Sequence, residues 1–131
     1  MLVDTVDKLN AIVPDLMACS NPCVDTETTG VQVWDNSEGK SDRVIGIAIG
    51  TGGNSYYLPF RHAQGVNLPM ECMDFLATYL SNPDRVYTGH NYTFDMHMMY
   101  KDGVPYALNT EDTMLAVHLI NENEPTFKLK Q

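Results

Sequence analysis

Three glycines within five residues, in the link Gly50-Thr51-Gly52-Gly53-Asn54, constrain this chain more than any other feature. Glycine reaches positive φ without strain, as tight turns demand. On one side of the link, Arg43 to Ile49 sets Val44, Ile45, Ile47 and Ile49 among small residues. On the other, Ser55 to Phe60 is rich in Tyr and Leu. Two such runs joined by a glycine turn predict neighbouring antiparallel strands.

Around this hairpin, helical and extended signals alternate. Val6, Leu9, Ile12, Val13 and Leu16 recur at helical spacing, with Pro14 able to divide them into two short helices. Pro22 to Glu27, followed by Thr28-Thr29-Gly30, reads as a strand ending in a turn, and Trp34 to Ser41 as a polar loop. Pro69 suits a helix start, Met73, Leu76, Ala77 and Leu80 supply its apolar face, and Asn82-Pro83 ends it. Arg85 to Thr88 reads as a short strand leading through Gly89-His90-Asn91 into a helix from about Tyr92 to Lys101, stopped by Gly103. A last helix is expected to begin at Asp112 and to carry Leu115, Val117, Leu119 and Ile120. The order implies an α/β fold with a mixed sheet and helices on its faces.

With 131 residues, 44% of them hydrophobic, the chain suffices for a single domain. No apolar run approaches the roughly 20 residues of a membrane span, so a soluble cytoplasmic protein with no membrane partner is expected. Cys19, Cys23 and Cys72 form no CxxC pair and read as reduced, half-buried core residues. The net charge of -9 argues against a stand-alone nucleic-acid binder. It is compatible with an enzyme that meets phosphate through divalent metals, because acidic ligands recruit the metal.

Asp25 and Glu27 lie two apart on the first predicted strand, hence on one face and roughly 7 Å apart, with Thr26 pointing the other way. Paired carboxylates repel unless a cation lies between them, and such oxygen-rich sites suit Mg²⁺ or Mn²⁺. For a lone DxE, a solvated acidic strand end is the better reading. Asp95 on a later helix, with Asn91 one turn earlier on the same face, offers a third acid and an amide that could converge on the pair. Asn91 also suits a helix N-cap.

Cys23-Val24-Asp25-Thr26-Glu27-Thr28-Thr29-Gly30 and Gly89-His90-Asn91-Tyr92-Thr93-Phe94-Asp95 resemble the first two motifs of the DnaQ-like, or DEDD, exonucleases of ribonuclease H-like fold. Arg43 to Ile49 followed by Tyr56-Tyr57-Leu58-Pro59-Phe60-Arg61-His62, and Asp112-Thr113-Met114-Leu115, narrow the resemblance to the proofreading 3′-to-5′ exonuclease domain of family A DNA polymerases, of the bacterial and phage DNA polymerase I type. The likeness runs from Pro22 to Gln131.

That resemblance implies three antiparallel strands plus parallel strands, flanked by helices. It implies two-metal hydrolysis of phosphodiesters at a single-stranded or mismatched DNA 3′ end, with Mg²⁺ or Mn²⁺ held by Asp25, Glu27 and Asp95. Asp25 would bridge both ions, Glu27 would stand on the nucleophile side and Asp95 would complete the other site. Thr26, Thr28, Val31, Asn91 and Phe94 fall where substrate is bound. Val31 is either an apolar wedge at the terminal base or ordinary core packing. A DNA polymerase domain, in the same or a partner chain, is the implied partner.

The family's third motif, with its fourth aspartate and a tyrosine or histidine four residues earlier, is expected beyond Gln131, so that residues 1–131 form one incomplete domain. Asp112 reads as a structural N-cap rather than as that ligand, and Glu111 is a weaker candidate. His62, His90, His97 and His118 receive no chemical role. The alternative is an exonuclease-like module that binds metal or DNA with little turnover.

Overall fold

The computed structural model describes residues 1–114, and the expected helix residues Leu115 to Ile120, with His118, lie outside them. The elements are α1 (Val6–Ala18), β1 (Cys23–Thr28), β2 (Val44–Gly50), β3 (Ser55–Pro59), α2 (Cys72–Tyr79), β4 (Tyr87–Gly89), α3 (Tyr92–Tyr100) and β5 (Thr110–Asp112). They build a five-stranded sheet in the order β3-β2-β1-β4-β5. The glycine link makes the expected hairpin, pairing Ile49 with Tyr56 and Ile47 with Leu58. β1 runs antiparallel to β2 and parallel to β4, and β5 is parallel to β4. The sheet is therefore mixed, with the antiparallel trio on one side.

α1 is one helix despite Pro14, because Leu9, Ile12 and Leu16 bury on both sides of the proline and hold it in register. Thr5 caps it, its hydroxyl accepting from the Lys8 amide at 3.1 Å. Val6, expected on the apolar face, is exposed. The turn at Pro69 makes i to i+3 bonds before α2 begins at Cys72, which moves the helix start three residues along.

β4 begins at Tyr87 rather than Arg85, since the Arg85 side chain serves another element. Its guanidinium donates to the Met17 and Cys19 carbonyls at the end of α1 (2.8 and 3.2 Å) and lies over the Tyr79 ring. The open edge of β3 is covered by the N-terminus, where Val3 donates to the Tyr57 carbonyl and Tyr57 donates to that of Met1. Cys19 and Cys72 are half-buried as expected, but Cys23 is exposed because it lies on the open face of β1. No helix among the described residues is long and apolar enough to cross a membrane.

Candidate active site

Alternation along β1 sends Val24 into the core and turns Asp25 and Glu27 to the opposite, open face. In register, Asp25 lies beside Ala48 and then Tyr57, while Glu27 lies beside Gly46 and then Pro59. The small residues of β2 keep this face low. A bulge follows Glu27, where the pairing skips to Thr28 and Val44.

The second half of the site is delivered by the turn between β4 and α3. A Cβ on Gly89 would lie 2.6 Å from Tyr92 Cδ1, so only glycine lets Tyr92 pack against the turn. Asn91 takes the left-handed conformation (φ 54°) at the N-cap position, yet its side chain caps nothing. Asp112 does that work from β5, its carboxylate accepting from the Asn91, Tyr92 and Met114 amides at 2.9, 3.0 and 2.9 Å. The expected structural role of Asp112 is thus seen twice over, for α3 and for its own following turn. At the other end of α3, Asp102 is gripped by Arg61 and Arg43, tying the helix to the antiparallel strands.

A cavity of about 720 Å³ opens between these halves, and Asp25, Thr26, His90, Asn91, Phe94 and Asp95 are among its lining residues. Asp95 is only 4% exposed. Its Oδ1 accepts a hydrogen bond from the Thr26 hydroxyl, and its Oδ2 is buried with no partner among the described residues. Burial pushes its carboxyl up to about 7, against the Thr26 hydrogen bond and helped by the negative charge of Asp25. Asp25 is raised by burial and then by Glu27. Thr26, expected to point away from the acids, in fact joins β1 to Asp95.

Glu27 is not among the residues lining the cavity. Its Oε2 accepts from the Tyr57 hydroxyl at 3.1 Å, and that hydroxyl lies 2.6 Å from His62 Nε2. Burial, then Glu27, pushes the Tyr57 phenol up to about 12, so it stays protonated near neutral pH. Thr28 donates to the Gly30 carbonyl at 2.7 Å and shapes the turn. Val31 is 84% exposed, which rules out core packing. His97 bonds the Tyr106 hydroxyl on the surface. His90 bonds Thr113 through Nδ1, and its Nε2 is buried without a partner among the described residues. Sequence reasoning left Tyr57 and His90 without roles; both fall inside quoted motif segments, the one signal that could have found them.

The donor set suits a divalent cation in kind: two carboxylates share one cavity, and one carries a buried, unsatisfied oxygen. The expected convergence is incomplete, since among the described residues no three acidic, His or Cys side chains gather closely enough to hold an ion. Glu27 lies near enough for its charge to raise the Asp25 carboxyl, while its Oε2 is engaged by Tyr57.

A family model described as 3′-5′ exonuclease matches residues 1–131, the full length. The chain belongs to the 3′-5′ exonuclease family. The exonuclease fold is shared with solved structures of low identity. The Aedes aegypti Nibbler EXO domain matches with TM-score 0.68 and 19% identity over 99% of this chain and 62% of its own. Escherichia coli RNase D, an exoribonuclease, matches with TM-score 0.67 and 14% identity over 100% of this chain and 35% of its own. Pol1 from M. smegmatis, solved with DNA primer-template and dNTP, matches with TM-score 0.70 and 21% identity over 92% of this chain and 19% of its own. The chain spans less than two thirds of each of these. Curated proteins give no match. The fold is the ribonuclease H-like α/β fold of the DEDD exonucleases.

Proposed function

We propose that this exonuclease domain removes nucleotides from single-stranded or frayed DNA 3′ ends with Mg²⁺ or Mn²⁺, beside a polymerase domain whose errors it corrects. The observation that carries the reading is Asp95: a buried carboxylate with one free oxygen, sharing an open cavity with Asp25. A carboxyl held near pH 7 by burial gives up its proton readily when a cation lies beside it.

Asp25 and Asp95 would hold the metal, and Glu27 would add the third carboxylate from the next same-face position of β1. Divalent ions, when bound, activate water as nucleophile and offset charge on the departing 3′ oxygen. The chain's own residues supply the rest. Thr26 fixes Asp95 through its hydroxyl, and Asn91, its side chain free of capping, lines the cavity as a donor for phosphate. Phe94 offers an aromatic wall, and exposed Val31 an apolar wedge for the terminal base. A frayed end costs less to unpair than a matched one, which favours mismatched termini.

Incubating the full chain with Mn²⁺ and a 5′-labelled single strand should give a ladder shortened from the 3′ end, faster on DNA than on RNA of the same sequence. The Asp25→Ala, Glu27→Ala double variant should lose at least ~100-fold of that rate, as expected when metal-positioned geometry is lost. Equal rates for the two proteins would sink the catalytic reading. The absence of a three-carboxylate cluster among the described residues favours a second reading, a module that binds metal or DNA with little turnover. Calorimetry with Mn²⁺ separates them: two bound ions support the enzyme, while one ion without cleavage supports the module.

A further inference from the structure

We propose that Tyr57 and His62 are positioning residues for the reaction, a pair that fixes the direction of the Glu27 carboxylate; this rests on the metal-dependent reading above. The Tyr57 hydroxyl has one proton and two neighbours, Glu27 Oε2 at 3.1 Å and His62 Nε2 at 2.6 Å. A carboxylate only accepts, so the phenol proton goes to Glu27 and His62 Nε2 must carry a hydrogen of its own to donate to Tyr57. The chain of bonds therefore runs one way, from imidazole to phenol to carboxylate.

The site is built for this reach. Tyr57 is on β3 and Glu27 on β1, and the phenol crosses the intervening β2 at Gly46, the residue paired with Glu27. A Cβ at Gly46 would lie 1.9 Å from the Tyr57 oxygen and 2.2 Å from Cζ. Only glycine leaves the path open. His62 is held in turn by Asn67, whose side chain accepts from the His62 amide and donates to its carbonyl, both at 2.9 Å. Leu68 closes the loop by donating to the Pro59 carbonyl at 2.7 Å.

The mechanical consequence concerns a side chain that would otherwise leave. Glu27 is exposed and shares its strand face with Asp25, whose charge repels it. With Oε2 engaged by Tyr57, one rotamer is favoured and Oε1 stays free for an ion. Ligating carboxylates oriented by such outer hydrogen bonds lose about 10- to 100-fold in metal affinity when the partner is removed.

Mn²⁺ titration of the full chain by calorimetry reads this directly, without relying on turnover. Tyr57→Phe, which leaves the backbone pairing of β3 in place, should weaken Mn²⁺ binding by about 10-fold or more. Gly46→Ala should do the same by displacing the phenol. His62→Gln keeps an N–H donor and should retain most of the affinity, whereas His62→Leu should lose it; a merely structural histidine would not sort its variants this way. Asp25→Asn serves as the reference. If Asp25→Asn weakens binding while Tyr57→Phe matches the wild type, the pair has no positioning role and the metal site stands. If Asp25→Asn also matches the wild type, the metal-dependent reading falls, and the pair with it.

Discussion

Asp95 is the residue whose environment has the most consequences. Its folded-state value of about 7 lies above the ordinary 3.8, so the folded chain retains a proton that the unfolded chain releases. Stability from this group is complete below about pH 4 and is lost as pH rises through 7. Chelator-treated wild type and Asp95→Asn should therefore melt alike near pH 4, and the variant should become the more stable as pH approaches 8. Parallel melting curves across that range would show that Asp95 ionises freely. Val31 yields the opposite expectation. At 84% exposure its replacement by alanine should change stability by less than about 0.5 kcal/mol, while a wedge role predicts reduced preference for mismatched over paired termini. The first motif exposed the acids to a reader of the sequence, since strand alternation puts Asp25 and Glu27 on one face. The same rule hid the Thr26–Asp95 bond, because it says where a side chain leaves its strand and nothing about which helix meets it.

At the scale of elements, much was legible: α1 and α2 follow from apolar spacing, the hairpin from its glycines, and α3 from the turn before it and the Gly103 stop. Of the short parallel strands, β4 is read two residues early, at Arg85 to Thr88, and β5 is not read as a strand. β4 and β5 hold three residues each, too few to show a period, and are fixed by neighbours distant in sequence. The same holds for Met1 to Val3 along β3. Asp112 shows what this conceals. In the sequence it caps the helix after it, but through β5 it also caps α3 and so sets the direction of Asn91 and Asp95. Asp112→Ala removes the acceptor of three backbone amides and should cost about 1–2 kcal/mol, the upper range of a lost cap. Denaturant unfolding measures that loss, and weaker Mn²⁺ binding should accompany it because α3 carries Asp95. A stability loss with Mn²⁺ affinity intact would mean that β4 alone positions the helix.

For the whole molecule, the decisive quantity is how little positive charge is free among the described residues. Eight lysines and arginines face 17 acidic residues. Arg43 and Arg61 are spent on Asp102, Arg85 on the end of α1, Lys8 on Asp4, and Lys101 on the Asp42 carbonyl. Counterion release gives single-strand binding a salt slope of roughly -0.7 for each phosphate neutralised by Lys or Arg. With so few cations free among the described residues, the grip on a strand that the proposed function requires would come from the metal, Asn91 and apolar contacts. At fixed Ca²⁺, fluorescence anisotropy of an oligothymidylate on the full chain should fall only gently between 50 and 200 mM KCl, with a log-log slope under about 1.5 in magnitude. Chelation should abolish binding altogether. A steep slope that survives chelation would instead reveal a basic surface outside the described residues, and the acidic cavity would then act on a strand delivered to it rather than hold the strand itself.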